Sequence, residues 1–176
     1  ADIITSIYID MNELWTNNSA MSTGGLIGIS NDTSNISNIP CYFYKVNANN
    51  GRIYKAEIIC LETPTEGGGS PVEGIGIIWD TGDRATNISE SDFSNILSGT
   101  GVASQRLIHH TQDISNITAS VGKIFTNIDS YPVYKDLRDP INPGSEPARL
   151  YLYHNDATHY EQTGGKLLIK LYGANI

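Results

Sequence analysis

Ala-Arg-Leu-Tyr-Leu-Tyr-His at residues 148–154 and Gly-Lys-Leu-Leu-Ile-Lys-Leu-Tyr-Gly at residues 165–173 carry the clearest structural signal in this chain. Apolar side chains recur at every second position in both stretches, which is typical of half-buried antiparallel strands and not of helices. The polar residues 155–164 between them show no apolar period. We therefore predict a hairpin with a broad exposed loop, closed by a last strand that lies in the middle of a sheet.

The same alternation marks the earlier strands. Residues 3–9 place four side chains on one face of a first strand and three on the other. Residues 41–46 and 52–61 flank Asn50-Gly51, and an Asn-Gly pair favours a type I′ turn because both residues tolerate positive φ. These two stretches are therefore predicted to form a second hairpin. Further strands are predicted at residues 24–29, 74–80, 104–108 and 117–125.

Two other segments carry loop or helix signals. Residues 62–73 contain a triple glycine and two prolines, and we predict an irregular surface loop there. Residues 89–99 start with a capping serine, place apolar residues at i, i+3 and i+4, and end in glycine, which predicts one short helix. Eight to ten strands with one short helix indicate an all-β, two-sheet sandwich of jelly-roll or similar Greek-key type, formed by residues 1–176 as a single domain.

Composition excludes several classes of partner. Only 17% of the 176 residues are charged, the formal net charge is −8, and no two basic residues are adjacent, so we expect no nucleic-acid partner. No apolar run approaches the length of a membrane span, and no secretion-signal pattern starts the chain, which predicts synthesis in a cytoplasm. For Cys41 and Cys60 we expect buried free thiols, and a disulfide requires that their strands be adjacent.

The candidate catalytic and metal-binding residues are sparse. Four histidines, His109, His110, His154 and His159, lack a cysteine or carboxylate at a ligand spacing, although His154 and His159 can converge across their loop. No nucleophile-elbow or metalloprotease motif occurs. A sandwich-fold glycosidase would need two facing carboxylates, which the sequence does not indicate. We therefore predict no enzyme activity and no cofactor.

Residues 80–87 gather oxygen donors in one loop. Asp80, Asp83 and Asn87 are the hard ligands that Ca²⁺ prefers, but the glutamate that ends a helical calcium loop is missing. A turn in which the two carboxylates accept backbone N–H bonds explains the same residues. We favour the turn and leave calcium as its alternative.

The closing pattern resembles the last strands of a known protein family. Leu-Tyr-Leu-Tyr at residues 150–153, a polar tip and the strand at residues 164–173 resemble the jelly-roll decoration, or cement, proteins of tailed-bacteriophage heads. The resemblance covers about the last quarter of the chain, and the remainder matches only as an Asn/Ser/Thr/Gly-rich all-β sequence. It implies a homotrimer that binds the major capsid protein non-covalently on the outer capsid surface of a virion.

Tyrosines are the candidate interface residues, since their side chains supply amphipathic contact area at low entropic cost. Ordinary sheet packing is the alternative for each of them. The six candidates are Tyr42, Tyr44, Tyr54, Tyr151, Tyr153 and Tyr172. Residues 1–10 are expected to form either an edge strand or an arm that pairs with a neighbouring subunit.

A carbohydrate-binding module, or the receptor-binding head of a phage fibre, is the alternative function. It shares the sandwich architecture and the aromatic content. It predicts that Trp15, Trp79 or Tyr160 forms an exposed platform beside polar side chains.

Overall fold

The computed structural model describes residues 2–17, 25–28, 42–67, 70–71, 75–80, 106–108, 124–126, 148–154 and 162–174. These residues form eleven strands and a single turn of 3-10 helix at Ala48–Asn50. The strands are β1 (Asp2–Asp10), β2 (Trp15–Asn17), β3 (Gly25–Gly28), β4 (Tyr42–Lys45), β5 (Arg52–Glu66), β6 (Ser70–Pro71), β7 (Ile75–Asp80), β8 (Arg106–Ile108), β9 (Ile124–Thr126), β10 (Arg149–His154) and β11 (Gln162–Ala174). The predicted helix at residues 89–99 lies outside the described residues.

The strands form two antiparallel sheets. The first sheet has the order β1-β11-β5-β6, and β9 also pairs with β5. The second sheet has the order β2-β3-β10-β7-β8, and β4 also pairs with β10. Eight of these strands follow the order β1-β11-β5-β9 in the first sheet and β4-β10-β7-β8 in the second. This order places the first strand beside the last and divides the chain between two layers, as in a jelly roll. The predicted all-β, two-sheet sandwich is confirmed.

The core lies between the two sheets. The alternate residues of β11 and β5 that face inward, among them Leu167, Ile169 and Ile58, belong to one buried cluster with Leu150 and Leu152 of β10. Burying an aliphatic side chain of this size stabilises the fold by about 1.5–3 kcal/mol. In β1, β5 and β11 the two-residue alternation therefore identifies the face that the sandwich buries, whereas the described side chains of β7 and β10 are buried on both faces.

The predicted hairpin between the last two strands is wrong. β10 lies in the second sheet between β7 on one side and β3 and β4 on the other, whereas β11 lies in the first sheet between β1 and β5. The central position predicted for the last strand is confirmed. The alternation of apolar residues shows which face of a strand is buried, but it does not show which strand lies beside it. β10 and β11 lie in opposite sheets, and their inner faces meet in one core.

The predicted hairpin at Asn50-Gly51 is also wrong, because β4 and β5 belong to different sheets. The Asn47 side chain accepts a hydrogen bond from the Asn49 amide at 2.9 Å and caps the 3-10 turn. Gly51 follows with φ of 65°, and a Cβ there would lie 2.7 Å from the Ala174 carbonyl oxygen. The Asn-Gly pair therefore turns the chain across the sandwich, from one sheet to the other.

The irregular loop predicted at residues 62–73 is wrong over much of its length. β5 continues through Pro64 to Glu66 and pairs with β6, so that Thr65 lies opposite Pro71. Opposite Pro64, β11 bulges at Gly165, which has φ of 120° and whose carbonyl accepts a hydrogen bond from the Met11 amide at 2.9 Å. The bulge allows a proline within the strand because the local ladder is already interrupted.

Cys60 is a buried free thiol on the inner face of β5, as expected. Its sulfur donates a hydrogen bond to the Glu62 carbonyl at 3.3 Å, and burial raises the pKa of the thiol. Cys41 lies outside the described residues.

Candidate functional site

Three of the six candidate tyrosines lie in the second sheet and have side chains that the structure describes. They are Tyr42, Tyr44 and Tyr151. Tyr151 is only 1% exposed, so it is buried within this chain. The half-buried Tyr42 packs against it edge to face, with ring centroids 6.3 Å apart, and the Arg149 guanidinium lies 5.7 Å from the Tyr42 centroid. Tyr153 belongs to β10, but its side chain is not among those described. Packing therefore accounts for Tyr151 and for much of Tyr42.

Tyr44 has a structural task. The buried Asn50 amide donates to the Tyr44 hydroxyl at 2.9 Å and to Thr5 Oγ1 at 2.8 Å. The Asn50 side-chain oxygen Oδ1 accepts a hydrogen bond from the Asn47 backbone N–H at 2.7 Å. Since Thr5 belongs to β1 and Tyr44 to β4, one side chain connects the edges of the two sheets.

Tyr54 and Tyr172 lie together on the outer face of the first sheet. Their ring centroids are 6.5 Å apart, and the Tyr172 hydroxyl donates to Glu57 Oε2 at 2.6 Å. Lys55 Nζ lies 2.6 Å from the other Glu57 oxygen and 4.7 Å from the Tyr172 ring centroid. The structure therefore brings together these two predicted tyrosines with an ion pair.

This network changes the protonation of its members. The hydrogen bonds from Lys55 and Tyr172 hold the pKa of the Glu57 carboxyl below its ordinary value. The same hydrogen bonds, made to Glu57, raise the pKa of Lys55 and of Tyr172. The charged form of Glu57 is thus the form that the folded protein stabilises.

An apolar patch extends across the same outer face. Tyr8, Leu168 and Ile59 lie directly opposite one another on β1, β11 and β5. Tyr8 is 57% exposed, and Leu61 at the next outward position of β5 is 44% exposed. Ile4, also 57% exposed, lies opposite Tyr172. We call Ile4, Tyr8, Ile59, Leu61 and Leu168 the outer patch.

A cleft of about 270 Å³ opens at the side of the sandwich where β1 faces β3 and β4. Its apolar lining comes from both sheets and from the turn after β1, and consists of Ile7, Ile9, Leu14, Ile27, Phe43 and Leu152. Tyr8, Asp10 and Tyr42 also line this cleft. The inward-facing side chains are thus incompletely covered at this side of the core.

Sequence reasoning missed the outer patch and the cleft. The alternation in residues 3–9 correctly separated Ile4 and Tyr8 from Ile7 and Ile9, because these pairs occupy opposite faces of β1. No signal in the sequence showed that both faces would remain partly uncovered, since coverage depends on which elements lie alongside the strand.

Most of the other candidate residues lie outside the part of the chain that the structure describes. Trp79 is buried in the core, so the prediction that it contributes to an exposed aromatic platform is wrong. Trp15 and His154 lie in strands whose side chains there are not described, and His109, His110, His159, Tyr160 and most of the 80–87 loop lie outside the described residues. Within the described part of the chain, no group of three or more His, Cys, Asp or Glu residues is arranged to hold a metal ion. The described residues include no helix long and apolar enough to cross a membrane.

The strand order and the common core define the chain as an antiparallel jelly-roll β-sandwich. Comparisons with protein-family models, with curated protein sequences and with solved structures each found no match to it.

Proposed function

We propose that this chain is a structural virion protein that decorates and stabilises a phage capsid by binding the major capsid protein as a homotrimer. The outer patch on the first sheet is the single observation that carries the proposal. It offers three exposed apolar side chains, Ile4, Tyr8 and Leu61, on a face supported by three neighbouring strands. The row Ser6, Lys170 and Glu57 separates Ile4 from Tyr8 and Leu61. Exposed apolar side chains gathered on one face are typical of protein interaction sites.

A decoration protein needs adhesive surface and no reaction. Aromatic side chains are enriched in interfaces, and the half-buried Tyr54 and Tyr172 lie beside the outer patch. The Lys55–Glu57 ion pair adds polar groups next to the apolar residues, as in the rim of an interface. Jelly rolls occur among viral capsid domains and also among lectins, so the fold alone does not select between these functions.

The proposed site of action is the outer capsid surface of a virion, after synthesis in the host cytoplasm. The test is co-sedimentation of the purified chain with empty capsids assembled from the major capsid protein of the same virus. We expect saturable binding and, by light scattering of the free protein, a mass of three times 19.2 kDa.

A double variant, Ile59→Thr with Leu61→Ser, removes apolar surface from β5 and is expected to weaken capsid binding at least about tenfold by the loss of buried area. Asn12→Ala, an exposed change outside the patch, is the matched control. Equal capsid binding by both variants would disprove the role of the patch, and no binding by the unaltered chain would disprove decoration.

The alternative is a carbohydrate-binding or receptor-binding head. It is favoured by one observation, the exposed Tyr8 on the outer face of β1, two residues from the exposed Asp10 on the same face, because sugars stack on aromatic rings beside polar groups. Titration of the chain with a panel of oligosaccharides tests it. Binding that Tyr8→Ser abolishes, without any capsid binding, would favour this function over decoration.

A further inference from the structure

Among the described strands β1 lies at the edge of its sheet, and its own sequence lacks the residues that usually protect an edge. It pairs with β11 over nine consecutive residues, from Asp2 opposite Ala174 to Asp10 opposite Lys166, without a bulge. No other strand of the described residues lies on its far side. Its sequence contains no proline and no lysine, the residues that commonly block pairing at an edge.

Apolar side chains on both faces of β1 are incompletely covered. On the outer face Ile4 and Tyr8 are exposed, and on the inner face Ile3 and Ile7 are only half-buried although they point into the sandwich. A second strand placed beside β1 would cover both rows at once, because its side chains also alternate between the two faces. A partner that covered only one face of the sheet would leave the apolar side chains on the other face of β1 uncovered.

The cleft lies under the same edge. Ile7 and Ile9 form its β1 wall, while Ile27 and Phe43 form the wall from the second sheet. A strand added beside β1 directs every second side chain inward, towards this space of about 270 Å³. Strand addition of this type takes its affinity from main-chain hydrogen bonds and its specificity from such side-chain pockets.

Charge indicates the chemistry of the incoming strand. Residues 1–44 contain four acidic residues and no lysine or arginine, and β1 carries an aspartate at each end, Asp2 and Asp10. Lys166 of β11 lies opposite Asp10, but its Nζ is already paired with Glu62 Oε2 at 2.5 Å. A strand with basic ends therefore complements this edge. In contrast, a second copy of β1 paired antiparallel about Ser6 would set Asp2 against Asp10 twice, which is unfavourable.

We propose that the β1 edge is an acceptor site for an extended segment of a partner protein, with apolar residues at alternate positions and lysine or arginine at its ends. One face of the added strand fills the cleft and the other covers Ile4 and Tyr8. The proposal shares Ile4 and Tyr8 with the outer patch, but it does not rest on capsid decoration, since any partner with this chemistry satisfies the site.

The probe is a synthetic peptide, Lys-Val-Thr-Val-Thr-Val-Thr-Val-Lys, titrated calorimetrically into the full chain. We expect saturable binding and slower amide exchange in β1. The same peptide methylated on its central backbone amides should bind at least about tenfold more weakly, because methylation removes the main-chain donors. A peptide with serine in place of valine should also lose affinity, because serine leaves the cleft unfilled.

The charge contribution is tested with the double variant Asp2→Asn and Asp10→Asn. The amide keeps the acceptor that Asp10 offers to the Asn12 amide at 3.0 Å. We expect the preference for lysine-ended over glutamate-ended peptide to shrink several-fold. Glu57→Gln, a neutralised carboxylate two strands away from the edge, is the control and should leave that preference unchanged.

Three results would overturn the proposal. Equal binding of methylated and unmethylated peptides would show that no strand is added. Protection of β1 amides in a peptide-free dimer would assign the edge to a second copy. Absence of binding with intact capsid attachment would remove the acceptor site while leaving the proposed function in place.

Discussion

At the scale of single residues, Asn50 connects the two sheets where the chain crosses between them. Its side chain makes three hydrogen bonds, to Thr5, Tyr44 and the Asn47 amide, in a site that is only 3% exposed. A buried amide satisfied in this way stabilises one arrangement of its neighbours, because each partner left unsatisfied costs about 1–3 kcal/mol. The Asn-Gly pair was recognised in the sequence as a turn, but this role of its asparagine was not.

Replacement of Asn50 by alanine is therefore expected to lower the free energy of unfolding by about 3 kcal/mol. Urea denaturation monitored by tryptophan fluorescence measures the change. Asn49→Ala alters an exposed residue of the same turn and should cost less than about 1 kcal/mol. If the two variants were equally stable, the Asn50 hydrogen bonds would not hold the crossing.

The Glu57 network predicts a dependence of stability on pH. Because the pKa of Glu57 is lower in the folded protein, the unfolded chain binds the proton more tightly. The stabilisation is complete above the unfolded pKa and is lost as the pH falls through the folded pKa. Stability measured across the acid range should fall more steeply for the unaltered protein than for Glu57→Gln.

Removal of the Tyr172 hydroxyl tests the cause of that pKa. Tyr172→Phe eliminates the 2.6 Å hydrogen bond to Glu57 but keeps the ring in contact with Tyr54 and Lys55. We expect the pKa of Glu57, followed by NMR of its carboxyl carbon, to rise towards its ordinary value. An unchanged pKa would assign the whole effect to Lys55.

At the scale of elements, two glycines of β11 allow other parts of the backbone to approach this strand closely. A Cβ at Gly173 would clash with the Asn50 backbone carbonyl oxygen, so the 3-10 turn packs directly on the end of β11. At Gly165 the backbone has φ of 120°, and a Cβ would lie 2.6 Å from the Pro64 Cα. Both positions require glycine because another backbone approaches closely.

Gly165→Ala is expected to destabilise the protein by at least about 2 kcal/mol, through the positive φ and the clash with Pro64. Thermal unfolding provides the measurement. Gly164→Ala is the control. A Cβ at Gly164 would lie 3.3 Å from Thr65 Oγ1, its nearest neighbour, and this side-chain atom can move. A larger loss for Gly164→Ala than for Gly165→Ala would contradict this account of the bulge.

At the scale of the whole molecule, the sandwich is organised by the strands paired on both sides, which are β11 and β5 in the first sheet and β3, β10 and β7 in the second. β11 is paired on both sides, with β1 and β5, and β10 is paired on both sides, with β7 and with β3 and β4. Their inner residues, such as Leu150 and Ile169, meet in the common core. β1, in contrast, is paired on one side only among the described strands.

Amide hydrogen exchange should reflect this arrangement. We expect the amides of β11 and β10 to exchange slowest, at the rate of global unfolding, because their opening requires disruption of two neighbours and the core. Amides of β1 should exchange faster unless a partner strand is bound. Uniformly slow exchange along both edges of β1 in the isolated monomer would show that its far side is already covered.

The periodicity of the sequence was sufficient for the fold class, for the buried face of β1, β5 and β11, and for the central place of the last strand. It was sufficient because a two-residue repeat is a local property of each strand. The pairing of strands was not local. The sequence at Asn50-Gly51 and at residues 155–164 indicated hairpin connections, but β4 and β5, and likewise β10 and β11, belong to different sheets. Likewise, Tyr151 and Trp79 became interior residues, while Ile4, Tyr8 and Leu61 stayed exposed, because burial depends on neighbours distant in the chain that assemble only in three dimensions.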